Sequence, residues 1–354
     1  MALTCRSRIF HYNPAVTSPD ASWTELPDDA LLEKRICDLD LSLKSSDVEA
    51  TIQELYANLQ ARGLKFFPSC YLADEWFVLE GGASIGIPFY LSHPRLIQLE
   101  EKMMLEAEGA APAARIKLLR HEAGHAFFYA YGLNKNPKVR RLFGPSPEEI
   151  PETYRPKPYS KSFVRHLDNW YAQAEPDEDF AETFAVWLTP DLDWKAYYRG
   201  WPALAKLELM DQLMAKVAGS EPKKFLREQA FSVSELRLKL KTYYARKQKL
   251  YAQDYPNFYD RDLKAIFSTE PDASRKSAAV FLRKNRKLIV EKVSRWSREK
   301  KFIVNNLLKK LTERSQTLNL RVHKDDAEAL ADTTAFLTSM ATNYLYTGKF
   351  KPKV

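Results

Sequence analysis

Apolar residues recur at Val48, Ile52, Leu55 and Leu59 behind Ser46-Asp47-Val48-Glu49, a helical spacing with a capping-box start, and Gly63 stands where the helix should stop. From 64 to 91 the period shortens. The segments 64–67, 70–72, 76–79 and 85–91 are short, rich in β-favouring residues and interrupted by Gly81 and Gly82, which predicts a small sheet. Pro88 has no N–H to give a ladder, so its strand, near 85–91, is expected at an edge or at a bulge, and an open edge can accept an extended peptide. Helical periodicity returns over 94–107 and 112–131, the second opened by Pro112 and ended by Gly132. Six prolines between 137 and 158 argue against a regular helix and for a long surface excursion. Helices are then expected at 161–173, 177–188 and 202–218, and beyond Gly219 near 232–252, 274–314 and 324–346. No internal repeat is visible. The pattern predicts an α+β fold, mostly helical.

Composition changes the picture in two places. The three cysteines, Cys5, Cys37 and Cys70, have neither disulfide-framework nor C-x-x-C spacing, and no apolar run reaches the length of a signal peptide or membrane span. The expectation is a cytoplasmic protein without a membrane span. The net charge of +8 is unevenly divided: residues 221–354 hold 30 basic against 15 acidic side chains, whereas the first 220 hold 24 against 31. The second part therefore either meets something acidic or solvates long helices.

Residues 121–125 read His-Glu-Ala-Gly-His, within a segment that periodicity alone makes helical. At about 100° per residue His121 and His125 lie one turn apart on one face and can offer their imidazoles to one cation, while Glu122 stands beside that position as a general base and then acid. The other face, Ile116, Leu119, Ala123, Ala126 and Ala130, suits a core. A catalytic zinc takes three protein ligands and keeps one open position. The best source of the third ligand lies 53 residues after His125, where Glu178 and Glu182 stand one turn apart between small Ala181 and Ala185, backed by Phe180, Phe184, Trp187 and Leu188. These residues alone leave open which glutamate binds. Asp177 and Asp179 suit the helix dipole better than a metal.

With H-E-A-G-H followed by Glu178-Asp-Phe-Ala-Glu-Thr-Phe184, the chain resembles the zincin metallopeptidases of the glutamate-ligand (gluzincin) branch, and among them bacterial zinc-binding metallopeptidases. The resemblance covers about residues 60–218. It implies Glu178 as the third zinc ligand, with Glu182 supporting a ligand histidine, in a zincin-like domain over 46–218 between an N-terminal extension, 1–45, and a basic helical domain, 219–354. The glutamate helix is also similar to that of anthrax lethal factor, in which a tyrosine seven residues earlier helps to stabilise the transition state; Tyr171 holds that place here. His166 is a second candidate for that role or for a ligand, with a core or capping histidine as the plain alternative. Arg165, with Arg140, Arg141 and Arg155, can grip a substrate carboxylate or simply face solvent.

Residues 283–310 read as one basic amphipathic helix whose apolar side is Leu288, Val293, Trp296, Ile303 and Leu307. No nucleic-acid motif accompanies it, so it is expected to cover the preceding domain and to guide an acidic substrate. The function expected is hydrolysis of a peptide or related amide bond by a metal-activated water, with one Zn2+ per chain. The alternative is a non-catalytic, zinc-stabilised binding protein that acts on acidic peptides or nucleic acid through its basic helices.

Overall fold

The computed structural model describes residues 22–44, 46–145, 156–222, 229–251, 259–270, 272 and 274–347. Cys5 with residues 1–21 and 45 of the N-terminal extension, residues 146–155 of the proline-rich stretch with Arg155, and residue 252 lie outside these. After a short α1 (Asp28–Leu32), α2 (Asp47–Ala61) buries Val48, Ile52, Leu55 and Leu59 and is stopped by Gly63 at φ +72°. Ser46 does not form the expected capping box, because its hydroxyl donates to the Leu43 carbonyl in the turn before the helix.

Strands β1 (Cys70–Ala73), β2 (Phe77–Val78) and β3 (Ile85–Pro88) form a mixed sheet in the order β1-β3-β2, with β1 parallel and β2 antiparallel to β3. Pro88 is thus in the central strand, not at an edge. β2 is only two residues long and pairs with Ile85 and Gly86, so at Pro88 the strand has β1 alone beside it and no second ladder calls for its missing N–H. The outer side of β1 is occupied by the Val233 N–H, which donates to the Leu72 carbonyl at 3.0 Å.

α3 (Pro94–Met104) and α4 (Pro112–Ala130) follow, and α4 lies across β2 and β3. The proline-rich stretch does contain a helix, α5 (Pro137–Phe143), since Pro137 occupies the first turn, where no N–H is needed. The helix expected over 161–173 is absent apart from a 3-10 turn at Tyr171–Gln173. Its backbone donors are drawn to side chains elsewhere: Arg165 N–H to the Tyr198 hydroxyl and Leu167 N–H to a Glu182 carboxylate oxygen.

Beyond come α6 (Pro176–Leu188), α7 (Trp194–Tyr197), α8 (Ala203–Val217) and α9 (Leu240–Leu250). The chain before α9 is not helical, because the Leu236 and Leu238 carbonyls accept from Cys37 and Ile36. α10 (Asp260–Ile266) is an additional helix. The expected long helix at 274–314 is three, α11 (Ala278–Lys284), α12 (Arg286–Ser297) and α13 (Lys301–Thr317), before α14 (Asp326–Thr347). Arg298, in the left-handed region at φ +65°, ends α12. The basic segment therefore has no single apolar side: Val293, Ile303 and Leu307 are buried, whereas Leu288 and Trp296 are 41% and 72% exposed. One apolar core joins α2, the sheet, α4, α6, α8 and α9, and a second runs from Tyr259 to Ala341. No helix among the described residues is long and apolar enough to cross a membrane.

Candidate metal centre

The centre is made where α4 and α6 pack side by side. Ala123, Ala126, Phe127, Phe180 and Phe184 lie in the core, with ring contacts between Phe128 and Phe180 and between Phe127 and Phe184. Gly124 sets the separation. A Cβ built there would stand 2.7 Å from the Ala181 Cα, so glycine and alanine together let the backbones approach closely enough for side chains of the two helices to converge.

What converges is His121, His125 and Glu178, whose ligand-type atoms all lie within 4.8 Å of one another. The two Nε2 atoms are 3.2 Å apart, and Glu178 Oε2 is 3.0 Å from His121 Nε2 and 3.3 Å from His125 Nε2. Tetrahedral ligands at zinc bond lengths of about 2.0–2.1 Å stand about 3.3–3.4 Å from each other, so this triangle is close to the size that a zinc ion requires. Glu182, fully buried, accepts from His121 Nδ1 at 2.9 Å through one oxygen and from the Leu167 N–H at 2.9 Å through the other. With its proton on Nδ1, a neutral His121 leaves the Nε2 lone pair free for a metal. Burial opposes a charge on His121, but its hydrogen bonds with Glu178 and Glu182 outweigh this and push its pKa up to about 10. Burial likewise works against the Glu178 carboxylate, and the two histidines overcome it and hold its pKa well below the usual range. Two carboxylates thus face one imidazole, and this negative site is suited to a cation.

Glu122 is 6% exposed and makes no hydrogen bond or ion pair to any described residue. Burial raises the pKa of its carboxyl. The Tyr171 hydroxyl donates to Glu178 Oε1 at 3.3 Å, and its ring lies 5.6 Å from that of His121. Tyr171 thus borders the triad.

The structure does not bring His166 or Arg165 into this group. His166 is buried with Nε2 donating to the Lys117 carbonyl at 2.9 Å, and burial lowers its pKa to about 4. Arg165 is exposed, its guanidinium stacked over Trp170 at 4.8 Å, Trp201 at 5.0 Å and Tyr159 at 5.6 Å. Arg140 and Arg141 are exposed on α5.

Two participants escape a reading of the sequence for ligands alone. The Tyr129 hydroxyl donates to Asp177 Oδ2 at 3.1 Å across the α4–α6 seam, and its place four residues after His125 is the signal that points to it. Asp179 is buried and ion-paired with Lys206, which also donates to the Ser162 carbonyl and tethers the back of α6 to α8. No sequence spacing announces that pair. No protein-family model, curated protein or solved structure matches the chain. The centre is therefore read from its own residues.

Proposed function

We propose that the chain is a zinc-dependent hydrolase of peptide or related amide bonds. Two imidazoles and one carboxylate form a donor set that suits zinc, and His121, His125 and Glu178 are the residues that would hold it. A zinc ion bound there would supply Lewis acidity toward the scissile carbonyl and toward a water molecule. The observation that carries the proposal is Glu122: a buried carboxyl with no hydrogen bond or ion pair to a described residue, next to His121 and raised in pKa by burial against the pull of the two histidines, as a group that takes up and returns a proton needs to be.

Other residues have supporting tasks. Glu182 fixes the ring and tautomer of His121. Tyr171 holds a hydroxyl at Glu178, from which it can donate to the oxygen that gains charge during attack. His166 is bonded to a backbone carbonyl, and among the described residues the group holds three ligand-type side chains, which favours a catalytic over a purely structural metal. Among the described residues β2 is paired on one side only and lies beside α4, so an extended substrate has an edge to align on.

The test is to compare Glu122→Gln with the parent. About one zinc per chain by mass spectrometry in both, with hydrolysis of a fluorogenic peptide library reduced about 100-fold or more in the variant, is the expected result. Equal turnover, or no zinc after reconstitution, overturns the proposal.

A further inference from the structure

α12 and α14 pack together and leave a groove of about 540 Å³ on their outer side. Leu288 and Trp296 form one wall, and Leu330 with the exposed row Ala327, Ala331 and Ala335 forms the other. Trp296 is 72% exposed, a large apolar surface that the chain's own core does not use. The groove is apolar even where threonines line it, because the Thr334 and Thr338 hydroxyls donate to the Leu330 and Thr334 carbonyls of their own helix. Each wall repeats at i, i+4 and i+8, which makes the groove about 12 Å long, or a little over two helical turns. Small residues on one side and a tryptophan on the other leave room for a third helix to lie close against the pair.

Charge identifies the occupant. On the α12 side Lys284, Lys287, Lys292 and Arg295 are exposed, and none has an ionic partner among the described residues. On the α14 side Asp326 is paired with Lys276, while the single Lys324 is shared by Glu328 and Asp332, which leaves one negative charge in excess there against the four cations of the α12 side. The unbalanced charge beside the groove is therefore positive, with Glu291 alone opposing it on α12. We infer that the α12–α14 groove docks an acidic amphipathic helix of a partner protein, its apolar stripe against Trp296 and Leu288 and its carboxylates against Lys287, Lys292 and Arg295. This is helix-in-groove recognition with a charged rim that sets the choice of partner.

The experiment uses the full chain and a fluorescent, end-capped helical peptide with leucines at i, i+3, i+4 and i+7 and glutamates at most other positions. A second peptide carries lysines in place of the glutamates. Fluorescence anisotropy should show saturable binding of the acidic peptide and at least about tenfold weaker binding of the basic one. Ala331→Trp, which fills the groove from an exposed position, and the triple change Lys287→Glu, Lys292→Glu, Arg295→Glu should each weaken the acidic peptide about tenfold or more, with thermal unfolding unchanged. Four results overturn the inference: no saturable binding of the acidic peptide, equal binding of both peptides, binding unaffected by either variant, or binding to phosphatidylserine vesicles that competes with the peptide. A dimer by equilibrium sedimentation that Ala331→Trp dissociates would likewise replace the partner helix with a second copy of the chain. Zinc content and hydrolysis do not enter these readouts, so the result is independent of the centre between α4 and α6.

Discussion

Glu178 and Glu182 stand one turn apart on α6, yet the structure gives them different partners. Glu178 faces both Nε2 atoms, whereas Glu182 faces His121 Nδ1 and a backbone N–H. Glu178→Gln is therefore expected to abolish stoichiometric zinc binding, because a neutral amide replaces the one anionic donor. Glu182→Gln should retain zinc with about 10–100-fold weaker affinity, the usual effect of losing the group that orients a ligand histidine. Competition with a chromogenic chelator measures both, and the reverse order of losses would exchange the two roles. The i, i+4 spacing made all four of these side chains legible as candidates, since a helix period is a local property. It did not tell the glutamates apart, because the deciding partners, Leu167 N–H and the two imidazole nitrogens, are remote in sequence. His166 was misleading for the same reason: its Nε2 is committed to the Lys117 carbonyl, 49 residues away.

At the scale of elements, the centre depends on how closely α4 and α6 approach. Gly124→Ala would press a methyl group onto the Ala181 backbone, so the helices must separate locally. The expected outcome is a loss of about 1–3 kcal/mol in urea unfolding together with weakened zinc binding, since the ligands sit on both helices. Undiminished zinc affinity would show that the seam tolerates the displacement. The long helices were legible where periodicity and terminators agreed, as with α2, α4, α6 and α8. They failed where tertiary partners captured the backbone, as at 161–170, or where one residue turned the chain, as at Arg298. Arg298 is in the left-handed region, and among the described residues its side chain makes only an exposed pair with Asp168. Arg298→Gly should therefore raise stability by about 0.5–1 kcal/mol, and Arg298→Ala, which loses the same ion pair but retains the strained φ, should not. Urea midpoints at equal m-values test the pair.

Across the whole molecule, the charge division in the sequence marked where the basic helices begin but not how they meet the rest of the chain. α9 joins the first apolar core through Leu240, Tyr243 and Tyr244, and polar contacts add to this junction beside Tyr251 and Phe302. Lys300 donates to the Tyr251 hydroxyl at 2.8 Å, Asn169 donates to the Arg298 carbonyl, and Gln248 of α9 donates to the Met103 carbonyl. Glu299 is buried in this seam, and burial raises its pKa from the usual 4.5 to about 7, against the opposing influence of the Lys300 backbone N–H and ammonium. Glu106 nearby is also raised by burial and adds to the cost of a second negative charge. A carboxyl whose native pKa lies above its unfolded value binds more protons when folded, so its contribution is complete below about 4.5 and is lost as the pH rises through about 7. The parent should accordingly lose stability between pH 5 and 8 at this site. Glu299→Gln, neutral throughout, is expected to match the parent near pH 5 and to exceed it by about 1–3 kcal/mol at pH 8. Urea unfolding followed by tryptophan fluorescence at several pH values provides the comparison, and parallel stability curves for the two proteins would show that Glu299 ionises in the folded state without penalty.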